Sequence, residues 1–185
     1  MKGIYLGSCL AYHPNYNLDY NDIEELPHIN IKCDMMKVNL KEYDFIIASP
    51  PCNYWSKANY RRETSVYAQS TKNLLPDLIK KCNSIDKPFI IENVKNYKLF
   101  EKEGIIKYCI ENNINIYIIG RHTYFTKKFL RLENPQIKDN VTSKQHKSTN
   151  LNNYRQGGAN VHNTIEIFLK LMQEYEERGI FKNGK

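Results

Sequence analysis

Residues 43–52 read YDFIIASPPC, an apolar run that gives way to two prolines and a cysteine. The run over 43–48 is continuous rather than alternating, which is typical of a strand buried on both faces of a parallel sheet. A polar and aromatic loop, NYWS, follows at 53–56. Cys52 therefore lies just beyond the end of a predicted buried strand.

Similar apolar runs recur along the chain, and they predict strands at 3–6, 29–33, 88–92 and 114–119. Helical spacing of apolar residues predicts helices at 70–85, 101–112 and 161–177. Strands that alternate with helices favour βαβ units and an open α/β sheet. Because ligands bind at the carboxyl ends of parallel strands, we expect Cys52 and the triplet Glu92-Asn93-Val94 to lie close together.

The length and composition indicate a folded protein with one domain over 1–185. The formal net charge of +7 favours a polyanionic partner, although many basic proteins bind no nucleic acid. No apolar segment approaches the ~18 residues that span a bilayer, which predicts a cytoplasmic protein without a membrane partner. Five widely spaced cysteines form no C-x-x-C pair, which predicts reduced thiols and no metal site.

A loop-rich basic segment covers residues 132–160. Its cationic side chains stand among Asn, Ser and Thr with few apolar anchors, and they include Lys138, Lys144, His146, Lys147 and Arg155. The segment is either a solvated surface connection or a short nucleic-acid recognition segment, and its composition favours neither.

Three motifs follow one another before the final helix: ASPPC-x-x-x-S at 48–56, IIENV at 90–94 and YRQGGANV at 154–161. This order resembles the DNA cytosine-5 methyltransferases, and most resembles the small, abbreviated members found in phages and mobile elements. The resemblance implies an α/β fold with a Rossmann-like class I methyltransferase sheet and helices on both faces, abbreviated at the N-terminus. It also implies DNA as the partner and S-adenosylmethionine as the cofactor.

The resemblance assigns Cys52 as the nucleophile. In this family a cysteine thiolate adds to C6 of cytosine, so that C5 can attack the methyl group of the cofactor. Since the thiolate is the reactive species, we expect backbone amides or a nearby cation to lower the pKa of Cys52. Glu92 would hydrogen-bond N3 and the exocyclic amine of the flipped base. The alternatives are an inert buried cysteine and a surface glutamate that caps the next loop.

A third catalytic residue, an arginine that contacts the carbonyl of the base, is implied downstream of IIENV. We favour Arg131, and the other base-contacting candidates in GRHTYFTKKFLRLEN are Arg121, Lys127 and Lys128. A solvated basic strand that contacts phosphate is the alternative. The same resemblance places three further residues at the substrate: Pro51, Ser56 and Asn93.

The target base must leave the duplex, because its C5 and C6 atoms cannot be reached while it is stacked. Aromatic and basic side chains near the cysteine loop could fill the gap or hold the DNA backbone, and they are Tyr54, Trp55, Tyr60, Arg61 and Arg62. The alternative is that Trp55 is simply packed in the protein.

The cofactor contacts that the resemblance implies are Gly7, Asp19, Asp34, Pro50 and Asn160. Asp19, in LDYND, resembles the end of the second strand of the family, and Asp34 resembles the acid that meets the adenine. The glycine-rich turn and first helix of the family are replaced by LGSCLAYHPNYN. One hypothesis is that a second subunit, in a homo- or hetero-oligomer, completes the cofactor site.

Two functions are compatible with these patterns. The first is a minimal DNA cytosine-5 methyltransferase, with a short or relaxed target sequence because few residues separate the basic strand from the late motif. The second is a catalytically inactive DNA-binding relative that acts as a decoy, an inhibitor or a subunit of a methylation or restriction system.

Overall fold

The structure, a computed structural model, describes residues 1–127 and 151–180, and for 151–160 and residue 162 it describes the backbone alone. The strands are β1 (Gly3–Leu6), β2 (Leu18–Asp22), β3 (Ile31–Lys32), β4 (Phe45–Ala48), β5 (Phe89–Val94), β6 (Ile114–Ile119) and β7 (His122–Lys127). They form one sheet in the order β3-β2-β1-β4-β5-β7-β6. The predicted α/β sheet is therefore confirmed; of the predicted strands, β1, β4 and β5 lie in its middle, and β3 and β6 lie at its two edges.

Strand direction decides which residues share an edge of the sheet. The strands β1 to β5 pair in parallel. In contrast, β7 runs antiparallel to both β5 and β6, with Glu92 opposite Tyr124 and Val94 opposite His122. The carboxyl ends of β1 to β5 and the amino end of β7 therefore lie along one edge.

The helices are α1 (Val66–Thr71), α2 (Leu74–Ser84), α3 (Tyr97–Lys102), α4 (Ile105–Glu111) and α5 (Leu151–Glu177). The predicted helix over 70–85 corresponds mainly to α2, and the one over 101–112 corresponds mainly to α4. Gly104, whose φ of +75° is a left-handed conformation, separates α3 from α4. The last helix begins ten residues earlier than predicted, so the motif at 154–161 lies within α5.

Two apolar layers cover the sheet. On one face α5 contributes Ile165, Phe168, Leu169 and Met172, at the spacing that places side chains on one side of a helix. These side chains pack with the strand residues Tyr5, Phe45, Ile47 and Ile90. On the other face α2 and α4 pack against the alternate strand residues, among them Ile4, Ile46 and Ile91. Because successive strand residues face opposite sides, both faces of β4 are buried.

The connection between β1 and β2 contains no helix in the described residues 7–17. It is held by main-chain groups instead: the amide of His13 donates to the Tyr20 hydroxyl at 2.8 Å, and the amide of Cys9 donates to the Asp22 carboxylate at 2.8 Å. The His13 ring stacks on Tyr5. The predicted abbreviation after β1 is therefore present, with a loop in place of the first helix.

No helix in the described part of the chain is long and apolar enough to cross a membrane.

Candidate active site

The cysteine loop leaves the sheet at the end of β4 and folds into a tight turn. The amide of Ser56 donates to the Cys52 carbonyl at 2.8 Å, and the Arg62 guanidinium donates to the Ser56 carbonyl at 2.7 Å. The Ser56 hydroxyl accepts a hydrogen bond from the amide of Ala58 at 3.2 Å. Ser56, predicted as a substrate contact, therefore closes the turn that carries the cysteine.

Asn93 connects β5 to this loop. Its side-chain amide donates to the Pro50 carbonyl at 3.1 Å, while its oxygen accepts from the amide of Val94 at 3.0 Å. Asn93 is 1% exposed. The loss of one of these partners would leave a buried polar group unsatisfied and lower the free energy of unfolding by about 1–3 kcal/mol. Asn93 and Pro50 thus hold the cysteine loop beside β5, and their contacts with the substrate and the cofactor stay predictions.

The two aromatic residues that follow the cysteine are packed inside the protein. Tyr54 and Trp55 are fully buried, and their rings lie edge to face at 5.1 Å. Asn96 donates to the Trp55 carbonyl at 2.7 Å, and the Tyr54 hydroxyl donates to Glu103 at 2.9 Å. The alternative that Trp55 is packed is therefore the one that the structure supports, and these two rings anchor the loop.

Further along the loop the side chains are exposed. Tyr60 is 84% exposed, and the Arg61 guanidinium lies over its ring at 5.3 Å from the centroid. Of the aromatic residues predicted to meet DNA, Tyr60 is the one that solvent reaches. The contact of Tyr60 and Arg61 with DNA stays a prediction.

Glu92 is the titratable residue of β5 that faces this edge. Its side chain is 13% exposed, and its carboxylate lies 3.7 Å from Nε2 of His122. Burial raises the pKa of Glu92 from 4.5 to about 7, although a hydrogen bond from the Ser49 hydroxyl opposes the rise. Near neutral pH the carboxyl group therefore holds a proton in a substantial fraction of molecules.

The Cys52 thiol is half-buried and close enough to Glu92 to be affected by its charge. Burial raises the pKa of Cys52, and the negative charge of Glu92 raises it further, while a backbone hydrogen bond lowers it. The predicted lowering is therefore wrong for the protein alone. The main reason is the burial of the thiol, and the charge that adds to it comes from a carboxylate rather than a cation.

The two described basic candidates, Arg121 and Lys127, lie at opposite ends of β7. Lys127 ends β7, and its ammonium group donates to the Asn83 carbonyl at 3.2 Å, at the edge opposite Glu92. The contact of Lys127 with the base stays a prediction. Arg121 precedes β7 at the same edge as Glu92, and its carbonyl accepts from the amide of Lys95. Lys128 and Arg131 lie outside the described residues.

The residue of β7 that does reach Glu92 is His122, which the sequence patterns did not single out. It occupies the first position of β7, and the antiparallel register places it opposite Val94 on the face that Glu92 shares. The sequence signal available was its position directly after the Gly-Arg turn of GRHTYF. That signal is weak without the direction of the strand.

The ends of the first three strands form a second group of polar residues. Gly7 follows β1 with a φ of +62°, and a Cβ there would come within 2.8 Å of the Ser49 carbonyl oxygen. Asp22 ends β2, and its carboxylate accepts from the amides of Cys9 and Ile23, both at 2.8 Å. After β3, Asp34 caps a short 3-10 turn by accepting from the amide of Met36 at 2.9 Å.

Asp19 does not belong to this group. It is the second residue of β2 and pairs in register with Ile4, well before the strand end. Its carboxylate binds the Lys2 ammonium at 2.7 Å and accepts from the Tyr43 hydroxyl at 2.9 Å. The prediction that Asp19 ends the second strand is therefore wrong, because Asp22 is the residue at that end. Asn160 lies in the part of α5 for which the backbone alone is described.

A mixed seven-stranded sheet with a cysteine loop after β4 and a Glu-Asn pair in β5 is consistent with a methyltransferase. A family model for the C-5 cytosine-specific DNA methylases matches residues 7–116, which is more than half of the chain. The chain therefore belongs to the C-5 cytosine-specific DNA methylase family, whose members use S-adenosylmethionine. The matched residues include Cys52 and Glu92 and end before β7.

Among solved structures, the methyltransferase EhMeth of Entamoeba histolytica is similar to this chain at 19% sequence identity, with a TM-score of 0.46. The similarity covers 78% of this chain, and the chain spans 59% of that protein. A search of curated proteins found no match.

Proposed function

We propose that this protein transfers a methyl group from S-adenosylmethionine to C5 of a flipped cytosine in DNA. The observation that carries the proposal is the meeting of Cys52 and Glu92 at one edge of the sheet, where Asn93 holds the cysteine loop against β5. The family supplies the general reaction, and these contacts suggest the role of each residue.

In the proposed reaction the Cys52 thiolate forms a bond to C6 of the base, the ring electrons move toward N3, and N3 takes the proton of Glu92. C5 becomes nucleophilic as a result. S-adenosylmethionine, when bound, supplies the methyl group that C5 accepts. C5 then loses its proton to water, the sulfur–C6 bond breaks so that Cys52 leaves as a thiolate, and N3 returns its proton to Glu92.

The pKa values of the two groups fit this order of events. A pKa of about 7 lets Glu92 carry the proton that N3 requires at neutral pH. While Glu92 is protonated it no longer raises the pKa of Cys52, so the acid form of one group favours the thiolate form of the other. Protonation of Glu92 therefore removes one of the two causes that raise the pKa of Cys52, and burial remains.

The residues that would hold the cofactor are Gly7, Asp22 and Asp34. They fit a nucleoside because two carboxylates stand at the ends of neighbouring strands beside a turn in which a Cβ would collide with backbone. Asp22, in place of Asp19, would accept hydrogen bonds from the ribose hydroxyls. Asp34 would meet the adenine, as the resemblance implies.

DNA is the proposed substrate, and the formal net charge of +7 supports a polyanionic partner. The exposed pair Tyr60 and Arg61 next to the cysteine loop is the part of the described surface best placed to meet the displaced strand.

Trapping on DNA that contains 5-fluorocytosine tests the proposal. Fluorine at C5 cannot leave as a proton does, so the adduct between Cys52 and C6 persists after methyl transfer. We expect an adduct in the wild type when S-adenosylmethionine is present and none in Cys52→Ala. Cys33→Ser is the matched control, because Cys33 is also a partly exposed thiol but lies beyond β3. An adduct that survives Cys52→Ala would refute the assignment.

A second function, an inactive DNA-binding relative, is favoured by one observation: a loop replaces the helix that should follow Gly7. In this case the protein would bind DNA without binding the cofactor. Calorimetric titration with S-adenosylmethionine separates the two functions, since heat of binding that is lost in Asp22→Asn supports the enzyme. DNA binding with no such heat at millimolar ligand supports the inactive relative.

A further inference from the structure

The residue that pairs with Glu92 has no role in the reaction as proposed above. His122 begins β7, and because β7 is antiparallel to β5, this first residue lies at the edge where the cysteine loop is found. The distance from Nε2 of His122 to Oε1 of Glu92 is 3.7 Å. The two side chains are 19% and 13% exposed, so their charges interact with little screening by solvent.

We propose that His122 is a positioning residue for Glu92: it orients the carboxyl group and controls when that group holds its proton. The proposal rests on the proposed function, because Glu92 must give a proton to the base for His122 to matter. In the protein alone, a protonated imidazole stabilises the carboxylate form of Glu92, and a neutral imidazole leaves Glu92 to take up the proton itself.

The surroundings of Glu92 leave His122 as the cationic partner among the described residues. The cysteine loop brings the Cys52 thiol, and β7 brings the buried Tyr124 hydroxyl directly opposite Glu92. The Tyr5 hydroxyl of β1 lies 3.1 Å from Ser49, which in turn hydrogen-bonds Glu92. These neighbours are neutral or become negative when they ionise.

The helix on this face adds no described cation close to Glu92. From α5, Thr164 lies next to the Tyr124 hydroxyl. Glu166 faces His13, with 3.4 Å between its carboxylate and the ring, so both belong to the contact between the β1–β2 loop and α5. His122 is thus the one described cationic group within ion-pair distance of Glu92.

The pair has a consequence for protonation. Two groups that interact this closely take up protons in two steps that belong to the pair rather than to either residue. Histidine ordinarily titrates close to neutral pH, and burial brings Glu92 into the same range. A proton held by the pair lies within reach of both side chains, and the entry of a base that accepts it would draw it through Glu92.

The test compares His122→Gln, His122→Ala and the control His28→Gln. Glutamine keeps the volume and a hydrogen-bond donor but removes the titration. His28 is a histidine packed against Tyr12 and Tyr20 at the β2 side of the sheet. NMR with 13C-labelled glutamate follows the titration of Glu92 without DNA. The rate of adduct formation on 5-fluorocytosine DNA is measured against pH.

Removal of the imidazolium should raise the titration midpoint of Glu92 in His122→Gln by about one pH unit. The alkaline limb of the adduct rate should move to higher pH with it. His122→Ala, which also loses the orientation, should form adduct about tenfold more slowly, and His122→Gln should recover most of that rate. His28→Gln should match the wild type in both measurements.

An unchanged midpoint of Glu92 in His122→Gln overturns the proposal. An equal shift in His28→Gln does so as well, since the effect would then be general. If the wild type forms no adduct at all, the proposed function fails, and the NMR titration still decides whether His122 controls the proton of Glu92.

Discussion

Replacing Glu92 with glutamine should stabilise the protein at alkaline pH. The rise of the Glu92 pKa from 4.5 to about 7 means that ionising this group in the folded protein costs ~3 kcal/mol more than in the unfolded chain, at about 1.4 kcal/mol per pH unit. The folded state holds the proton between these two pH values and the unfolded chain does not. Stability of the wild type should therefore fall as the pH rises from about 4.5 to 7.

The isosteric variant Glu92→Gln removes this dependence. The free energy of unfolding of the variant minus that of the wild type should be ~2.5 kcal/mol larger at about pH 8 than at about pH 5. Urea denaturation at the two pH values measures it, and fluorescence is a suitable signal because Trp55 is the one tryptophan of the chain and is fully buried.

Glu103→Gln is the matched control with the opposite sign. Burial favours the neutral form of Glu103, but hydrogen bonds from Lys72 and Tyr54 outweigh it and lower the pKa of Glu103. The stabilisation from its charge is present at neutral pH and is lost as the pH falls through the lowered pKa, so Glu103→Gln should cost stability at about pH 8 and less in acid. A Glu92→Gln effect that is the same at both pH values would refute the reasoning.

Three further variants test the frame of the site. Gly7→Ala should lower the free energy of unfolding by more than Gly104→Ala in urea denaturation: both positions have positive φ, but a Cβ meets backbone at the first and nothing within 4 Å at the second. Asn93→Ala should cost about 1–3 kcal/mol in the same assay and slow adduct formation on 5-fluorocytosine DNA, and an unchanged rate would show that the loop is held by other contacts. Asp22→Asn should weaken S-adenosylmethionine about tenfold in calorimetry, whereas Asp19→Asn should not; equal losses would contradict the placement of the ribose.

The sequence patterns located β1, β4 and β5 well, and these strands lie in the middle of the sheet with both faces largely buried. The patterns also located β6, which lies at the edge of the sheet and is only partly buried. β2 reads LDYND, and three polar residues hide a strand of which one neighbour is the two-residue β3. The sequence analysis therefore took Asp19 as the end of this strand, whereas the strand ends three residues later at Asp22.

The candidate site could be predicted in part for a similar reason. Cys52, Glu92 and Asn93 directly follow or end apolar strands, so their positions depend on local sequence and on parallel pairing alone. The contact between Glu92 and His122 depends on the antiparallel direction of β7, which no local pattern records. The pKa values of Glu92 and Cys52 depend on three-dimensional neighbours and could not be predicted from the motif.

The proposed acid, Glu92, lies on a strand, whereas the proposed nucleophile, Cys52, lies on a loop. This difference decides which of the two can be moved by mutation. Glu92 belongs to a strand bonded to neighbours on both sides, so its Cα is a fixed reference in the molecule. Cys52 lies on a loop that the side chains of Asn93 and Asn96 and two packed rings hold beside that strand. Substitutions in the loop should therefore change the position of the thiol and the rate of its attack, while Glu92 stays in place. The loop is for this reason the natural part of the protein to redesign.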